Sequence, residues 1–352
     1  MLIAPLLSSH GEQYYRDVMS EHATALVAAA RDLARSFGRG GRLLATGEGR
    51  ALTDARHIAV EFLHPVIVGK RALPAAVSAR RLGSEDVVVG IGYAGSRIDG
   101  PVDIAIADHH VPGARHHIEL PSGDVFATKE AALVAYHALW ELVHVFLDDG
   151  VDDVGGDHLN ALYPMLYKLE RVVDDTAAAV ASTKEKLDET AALRVASLAA
   201  NESAISVAAD RFAAASTVFT FGNGGSATDA SDLAWALGQK GWALSDDVAT
   251  VTALANDVSF DVVFARQLAT LARPGDAVVA LSTSGTSANV VAGLREAQRL
   301  GLSTIGFAGY DGGDMASAGL DACCVVRSSS VHRIQESYVT LYDEVIRRTS
   351  AP

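Results

Sequence analysis

The chain repeats itself. Residues 43–63 read LLATGEGRALTDARHIAVEFL, and residues 218–238 read VFTFGNGGSATDASDLAWALG. Both run from an apolar strand-like stretch through Gly-x-Gly to Thr-Asp-Ala, and then into a helix-like apolar period. The offset is 175 residues, carrying Gly47 to Gly222 and Asp54 to Asp229. A second pair follows: EDVVVGIGYAGSR at 85–97 faces GDAVVALSTSGTS at 275–287, with Gly95 opposite Gly285. Each half closes on a long helical segment, KEAALVAYHALWELVHVFL at 129–147 and RIQESYVTLYDEVIRR at 333–348. A strand–turn–helix series written twice restricts the chain to two parallel sheets covered by helices. The expected fold class is therefore α/β, with two tandem domains, each a three-layer αβα sandwich.

The 352 residues suit two domains. The segment DDGVDDVGGDHLN at 148–160 is acidic, Gly-rich and without apolar period, so the expected domains are 1–150 and 151–352. After it, 161–216 is poor in Gly and rich in Ala, Leu, Lys and Glu, which predicts a helical arm of the second domain. Its counterpart is a helix around 13–37. A net charge of −14 argues against a nucleic-acid partner, which needs a basic face, but leaves room for an anionic small ligand at a locally positive site. Cys323 and Cys324, the chain's two cysteines, are adjacent, a spacing that rarely makes a good disulfide. The opening MLIAPLLSSHGEQ has no basic n-region or long apolar h-region, and no run of about 18 apolar residues is uninterrupted. A cytoplasmic protein with no membrane partner is the expectation.

Chemistry enters at the turns. Gly222-Asn223-Gly224-Gly225-Ser226 joins a strand to a helix. Glycines let backbone amides approach an anion, and a helix start offers open N–H groups at a positive dipole end. The strand Val278–Leu281 leads into Ser282-Thr283-Ser284-Gly285-Thr286-Ser287 and a helix over 288–300. Its hydroxyls beside helix-start amides form a neutral cradle for phosphate. The alternative is an N-capping cluster, for which one hydroxyl suffices.

These turns, with Asn256-Asp257 and Arg333-Ile334-Gln335-Glu336, resemble the sugar isomerase (SIS) domain, and within it the phosphoheptose isomerases. The resemblance covers most of 165–348. It implies a parallel-sheet α/β sandwich and aldose–ketose isomerisation of a phosphosugar such as sedoheptulose 7-phosphate. It also implies substrate contacts from Asn223, Gly224, Gly225, Ser226, Asn256, Asp257, Ser282, Thr283, Ser284 and Ser287, with Gln335 at the family glutamine. That family further carries a His and a Glu four apart on the helix after the Gly-rich turn, and a second His eight residues beyond the glutamine. These groups bind a divalent metal, usually zinc. In the second half the three positions hold Asp232, Ala236 and Asp343. The first half has lost most loop hydroxyls (Gly92-Tyr93-Ala94-Gly95-Ser96-Arg97) and carries Lys129 at the glutamine position, yet keeps His57, Glu61 and His137.

His57 and Glu61, four apart, share one helix face. The expectation is a composite site, with the phosphate held by the second half and catalysis by Glu61, His57, His137 and Gln335. Zinc on His57, Glu61 and His137 is the implied cofactor, and no nucleotide cofactor is implied. Two other readings stand beside this one. His57 and Glu61 are alternatively a solvated pair and His137 an interface histidine. The protein is alternatively a non-catalytic sugar-phosphate sensor or a partner-binding SIS protein. Arg50 and Arg97 are alternatively phosphate ligands in their own right, while the favoured expectation is that Arg50 fills the dead phosphate pocket or pairs with Glu48. Single-domain relatives form tetramers of SIS units, so a homodimer completing a pseudo-tetramer is expected.

Overall fold

The computed structural model describes residues 9–65, 70–98, 100–147 and 176–350, with side chains from 22 to 349. It divides into two compact units, Met1–Ala192 and Leu193–Pro352.

In the first unit, helix α1 (Ser9–Gly38) precedes strand β1 (Leu43–Thr46), helix α2 (Ala51–Leu63) and strands β2 (Ala75–Val77), β3 (Val87–Gly92), β4 (Ile104–Ala107) and β5 (His116–Glu119). Helix α3 (Val125–Leu147) follows them. The five strands are parallel in the order β2-β1-β3-β4-β5. Every residue of β3 is buried, as in a central strand covered on both faces, which explains why VVVGIG runs apolar without alternation.

The second unit repeats the scheme. Helix α4 (Thr176–Ala200) runs through the division between the units, and α5 (Glu202–Ala214) leads to β6 (Val218–Phe221), α6 (Gly225–Ala236), β7 (Gly241–Ala243), α7 (Val248–Asp257) and α8 (Val263–Leu271). Then come β8 (Ala277–Ser282), α9 (Ala288–Arg299), β9 (Ser303–Gly309), the short α10 (Gly313–Ser317), β10 (Ala322–Val326) and α11 (Val331–Ser350). The strands are parallel in the order β10-β9-β8-β6-β7. Numbered by appearance, both sheets read 2-1-3-4-5. The chain reverses direction across the sheet between the first and third strands, and the crevice outside their carboxyl ends is where such sheets bind ligands.

Small fixtures recur with the sheets. Asp86, just before β3, accepts from the Arg42 amide at 3.1 Å, and Asp276, just before β8, accepts from the Thr217 amide at 3.0 Å. A Cβ at Gly47 would stand 2.6 Å from Ala51 O, and one at Gly222 would stand 2.6 Å from Ser226 O, so both turns need glycine for the same reason.

The division between the units falls later than the linker composition implies. Thr176 accepts from Arg31, and Lys186 pairs with Glu141 on α3, so most of α4 goes with the first unit. The expected arm of 161–216 is two helices where it is described, broken at Asn201, and residues 161–175 lie outside the described residues. Helix α3 is by length and composition apolar enough to cross a membrane, but it is mostly buried within its unit and carries buried Lys129, His137 and His144. Both cysteines are free thiols on β10, and burial pushes the Cys323 thiol up to about 11 and Cys324 higher.

The edge strand β5 carries a titration-sensitive contact. The His117 and His110 rings lie 6.0 Å apart, and His117 Nε2 is buried with no hydrogen-bond partner among the described residues. Burial lowers the His117 pKa below its ordinary 6.5; Glu119 opposes this, while His110 and His22 add to it. The unfolded chain then binds this proton more readily than the folded one. The contribution is full above about pH 6.5 and is lost as pH falls through the lower folded value. The melting temperature is expected to drop between pH 7 and pH 5, and the drop is expected to be smaller in His117→Phe. An equal drop in that variant assigns the acid sensitivity elsewhere.

Candidate functional site

The switch point of the second sheet lies between β6 and β8, paired Phe221 to Ala280, so the turns that follow both strands meet at one end. They are close: a Cβ at Gly222 would stand 2.8 Å from Leu281 O. Gly224 opens α6 with φ +55 and no side-chain cap, leaving the first-turn amides of Gly225 and Ser226 without an acceptor earlier in the helix. Across the crevice, Ser287 occupies the N-cap of α9 but makes no capping hydrogen bond. Its Oγ lies 3.2 Å from Ser282 Oγ, which in turn lies 3.4 Å from Ser284 Oγ. Ser282 Oγ also accepts from the Gly285 amide at 3.2 Å, so these hydroxyls bond to one another and to the loop backbone. Thr286 donates to Ser284 Oγ from both its amide, at 3.2 Å, and its hydroxyl, at 3.1 Å. Met315 N, on α10, holds Gly285 O at 3.0 Å, and Thr283 O accepts from Gly309 N at 3.0 Å, so neighbouring elements brace the loop.

Gln335 is buried in the first turns of α11. Its neighbour Ile334 packs where a Gly309 side chain would stand, which sets the helix start beside the strand end bonded to Thr283. Asn256 and Asp257 lie at the exposed end of α7, and Asn256 Nδ2 donates to Asp257 Oδ1 at 2.7 Å. Among the described residues no hydrogen bond joins either to the two loops. Below the cradle, Asp229, Asp232 and Asp343 are fully buried, and the Tyr342 hydroxyl donates to Asp232 Oδ2 at 2.8 Å.

In the first unit the corresponding crevice is closed by its own side chains. Tyr93, opposite Thr283, is buried and donates from its hydroxyl to Asp54 Oδ2 at 2.5 Å. Lys129, opposite Gln335, pairs with Asp54 Oδ1, which also accepts from the Tyr136 hydroxyl at 3.1 Å. Asp108 Oδ2 accepts from the Ala94 amide at 3.1 Å. Arg50 is buried with its guanidinium 5.3 Å over the Phe126 ring, while Glu48 is exposed.

The ionisable trio does assemble in the first unit. His57 is 0% exposed and Glu61 2%, so they are not a solvated surface pair. His57 Nε2 lies 3.6 Å from Glu61 Oε1. The His137 ring, also buried, meets His57 edge-on with centroids 5.4 Å apart. Its neighbours on α3 have structural duties. The His144 ring lies against Trp140, tilted by 36° with centroids 4.0 Å apart, and contacts the Trp140 and Arg71 carbonyls, while Glu141 pairs with Lys186. Among the described residues, no three His, Cys, Asp or Glu side chains converge as a metal site requires.

The sequence reading missed the buried Asp54–Lys129 pair, because a lone Lys on an apolar helix reads as a snorkelling surface residue. It also missed Asn289, whose place between the loops is a matter of tertiary packing.

Comparison with known proteins agrees with this geometry. Residues 179–309 match the SIS domain. The phosphoheptose isomerase of Paramagnetospirillum magneticum is 41% identical over 141 residues, which cover 38% of this chain and 73% of that protein. The phosphoheptose isomerase of Campylobacter concisus is 42% identical over 147 residues, covering 39% of this chain and 77% of its own. At the level of fold, the C-terminal domain of glucosamine-fructose-6-phosphate aminotransferase from Francisella tularensis superposes with a TM-score of 0.58 at 12% identity, over 97% of this chain and 95% of that one. Two parallel five-stranded sheets, a hydroxyl cradle at the second switch point and this kinship identify the chain as a member of the SIS domain family, a tandem SIS αβα protein whose second unit is kin to the phosphoheptose isomerases.

Proposed function

We propose that the chain is a phosphosugar aldose–ketose isomerase, an intramolecular oxidoreductase of the phosphoheptose isomerase type. In this reading the second unit holds the phosphate and the first supplies the proton transfer. The observation that carries the phosphate half is the uncapped Ser287 beside Ser282 and Ser284. Neutral donors around one point suit a dianionic phosphate, whose hydrogen bonds are charge-assisted. The observation behind the proton-transfer half is the buried contact of His57 with Glu61 and His137.

In the aldose-to-ketose direction, a carboxylate takes the proton from C2, the C1 carbonyl oxygen is protonated, and an enediol results. The O2 proton is then given up, and the first proton returns at C1. Glu61 is assigned the C–H transfers, and His57 with His137 the oxygen protons. Gln335 orients sugar oxygens. No step passes through a metal.

The second reading is a non-catalytic phosphosugar sensor. It is favoured by one observation: Asp232 is taken up by Tyr342, and Ala236 stands where the family base would be. Turnover of sedoheptulose 7-phosphate by the purified chain separates the two. The proposal also places the protein in the cytoplasm as a homodimer, a pseudo-tetramer of SIS units, which a mass measurement in solution tests.

Calorimetric titration is expected to give one phosphosugar per chain, because the first crevice is filled. Ser284→Ala with Ser287→Ala is expected to weaken binding by about 1–3 kcal/mol, the scale of hydrogen bonds to a charged group. Two ligands per chain, or unchanged affinity in the double variant, overturns the assignment of phosphate to the second unit alone.

A further inference from the structure

One side-chain pair ties the two loops of the second crevice together. Asn223 Nδ2 donates to Asn289 Oδ1 at 2.8 Å, and Asn289 Nδ2 donates to Asn223 Oδ1 at 2.8 Å. Asn289 sits in the first turn of α9, is 3% exposed, and also accepts from the Val290 amide at 3.0 Å. Asn223 lies in the Gly-rich turn and is half-buried. A primary amide that both gives and takes a hydrogen bond with another is fixed in one orientation. Asn223 then has one N–H and one lone pair to spare at the crevice.

We propose that Asn289 is a positioning residue for the anion site. By holding Asn223, it fixes the Gly222–Ser226 turn against the Ser282–Ser287 loop, so that both loops offer donors to a single phosphate group. The inference rests on the phosphosugar reading of this crevice. The first half supports it from sequence: the positions opposite Asn223 and Asn289 are Glu48 and Asp99. Two carboxylates are both acceptors and cannot make the reciprocal pair when ionised. The half that lost its loop hydroxyls has also lost the tie.

The test is a double-mutant cycle on the full chain. The probe is inorganic phosphate, read through its stabilisation of the protein against heat over a concentration series. Asn289→Ala is expected to raise the apparent phosphate Kd about tenfold, the scale of one lost hydrogen-bonded pair. Asn223→Ala is expected to do the same, and the double variant to be no weaker than either single. That non-additivity is the signature of Asn289 acting through Asn223; a residue that merely packs the helix would add its loss to the other. Asn289→Leu, close in shape and apolar, makes the same measurement if the alanine void unfolds the loop. Wild-type affinity in Asn289→Ala and Asn289→Leu, or losses that multiply in the double variant, overturns the inference. Ser284→Ala with Ser287→Ala separates the layers. If that variant loses phosphate while the asparagine cycle is additive, only the positioning role fails. If it binds phosphate like the wild type, the phosphate reading of the crevice fails and the positioning role with it.

Discussion

Glu61→Gln is expected to slow isomerisation of sedoheptulose 7-phosphate by about 10²–10⁴-fold, the range that a positioned base contributes, with little change in phosphosugar affinity. The substitution keeps the volume and one carbonyl oxygen, so the packing of α2 against α3 should survive. It removes only the ability to take a proton. Glu61 is buried beside His57, 3.6 Å from its Nε2, where a carboxylate that moves a proton is shielded from competing water. Phosphate affinity is assigned to the hydroxyls of Ser282–Ser287, which belong to the other unit, so the two observables should separate. The proposed scheme uses no metal, so chelator-treated protein is expected to keep its turnover. Full activity in Glu61→Gln removes the proposed base and leaves the sensor reading as the better account. Loss of activity on chelation, restored by zinc, replaces the metal-free scheme.

The fold was legible because two signals agreed at two places in the chain. Gly-x-Gly between an apolar strand and an apolar-periodic helix is local information, and the repeat doubles it. The buried strands Val87–Gly92 and Ala277–Ser282 announce themselves as unbroken apolar runs. The boundary was harder. Linker composition points to 148–160, but which unit owns a helix depends on long-range partners such as Arg31 for Thr176 and Glu141 for Lys186. Those side chains lie dozens of residues away and carry no local mark.

The candidate site divides the same way. The hydroxyl loop and the His57–Glu61 spacing are written in short range, and Ser287 holds the cap position without making a side-chain capping hydrogen bond. Asn289 was invisible because its meaning lies in Asn223, 66 residues away. The closed state of the first crevice was only half legible. Missing hydroxyls indicate a lost ligand, but not that Tyr93, Lys129 and Asp108 take over the vacated hydrogen bonds.

That closure sets the largest expected stability effect. Lys129 is 1% exposed and Asp54 0%, and the two pair at the carboxyl end of the first sheet. Taking two charges out of water is costly, and the pair is tolerable because each cancels the other while the Tyr93 and Tyr136 hydroxyls also donate to the carboxylate. Lys129→Met keeps the length of the side chain and removes its charge, stranding the Asp54 carboxylate in the core. The expected cost to the first unit is about 3–5 kcal/mol, seen as loss of its unfolding transition midpoint in denaturant. Asp54→Asn in the same chain should return much of it, since an amide still accepts from a tyrosine hydroxyl and carries no charge. Phosphate protection of the second unit should be unchanged in both variants, because its cradle is built from its own loops. A mild effect from Lys129→Met, below about 1 kcal/mol, is the scale of an exposed ion pair. It would mean that Asp54 is reached by water, and that the first crevice is open after all.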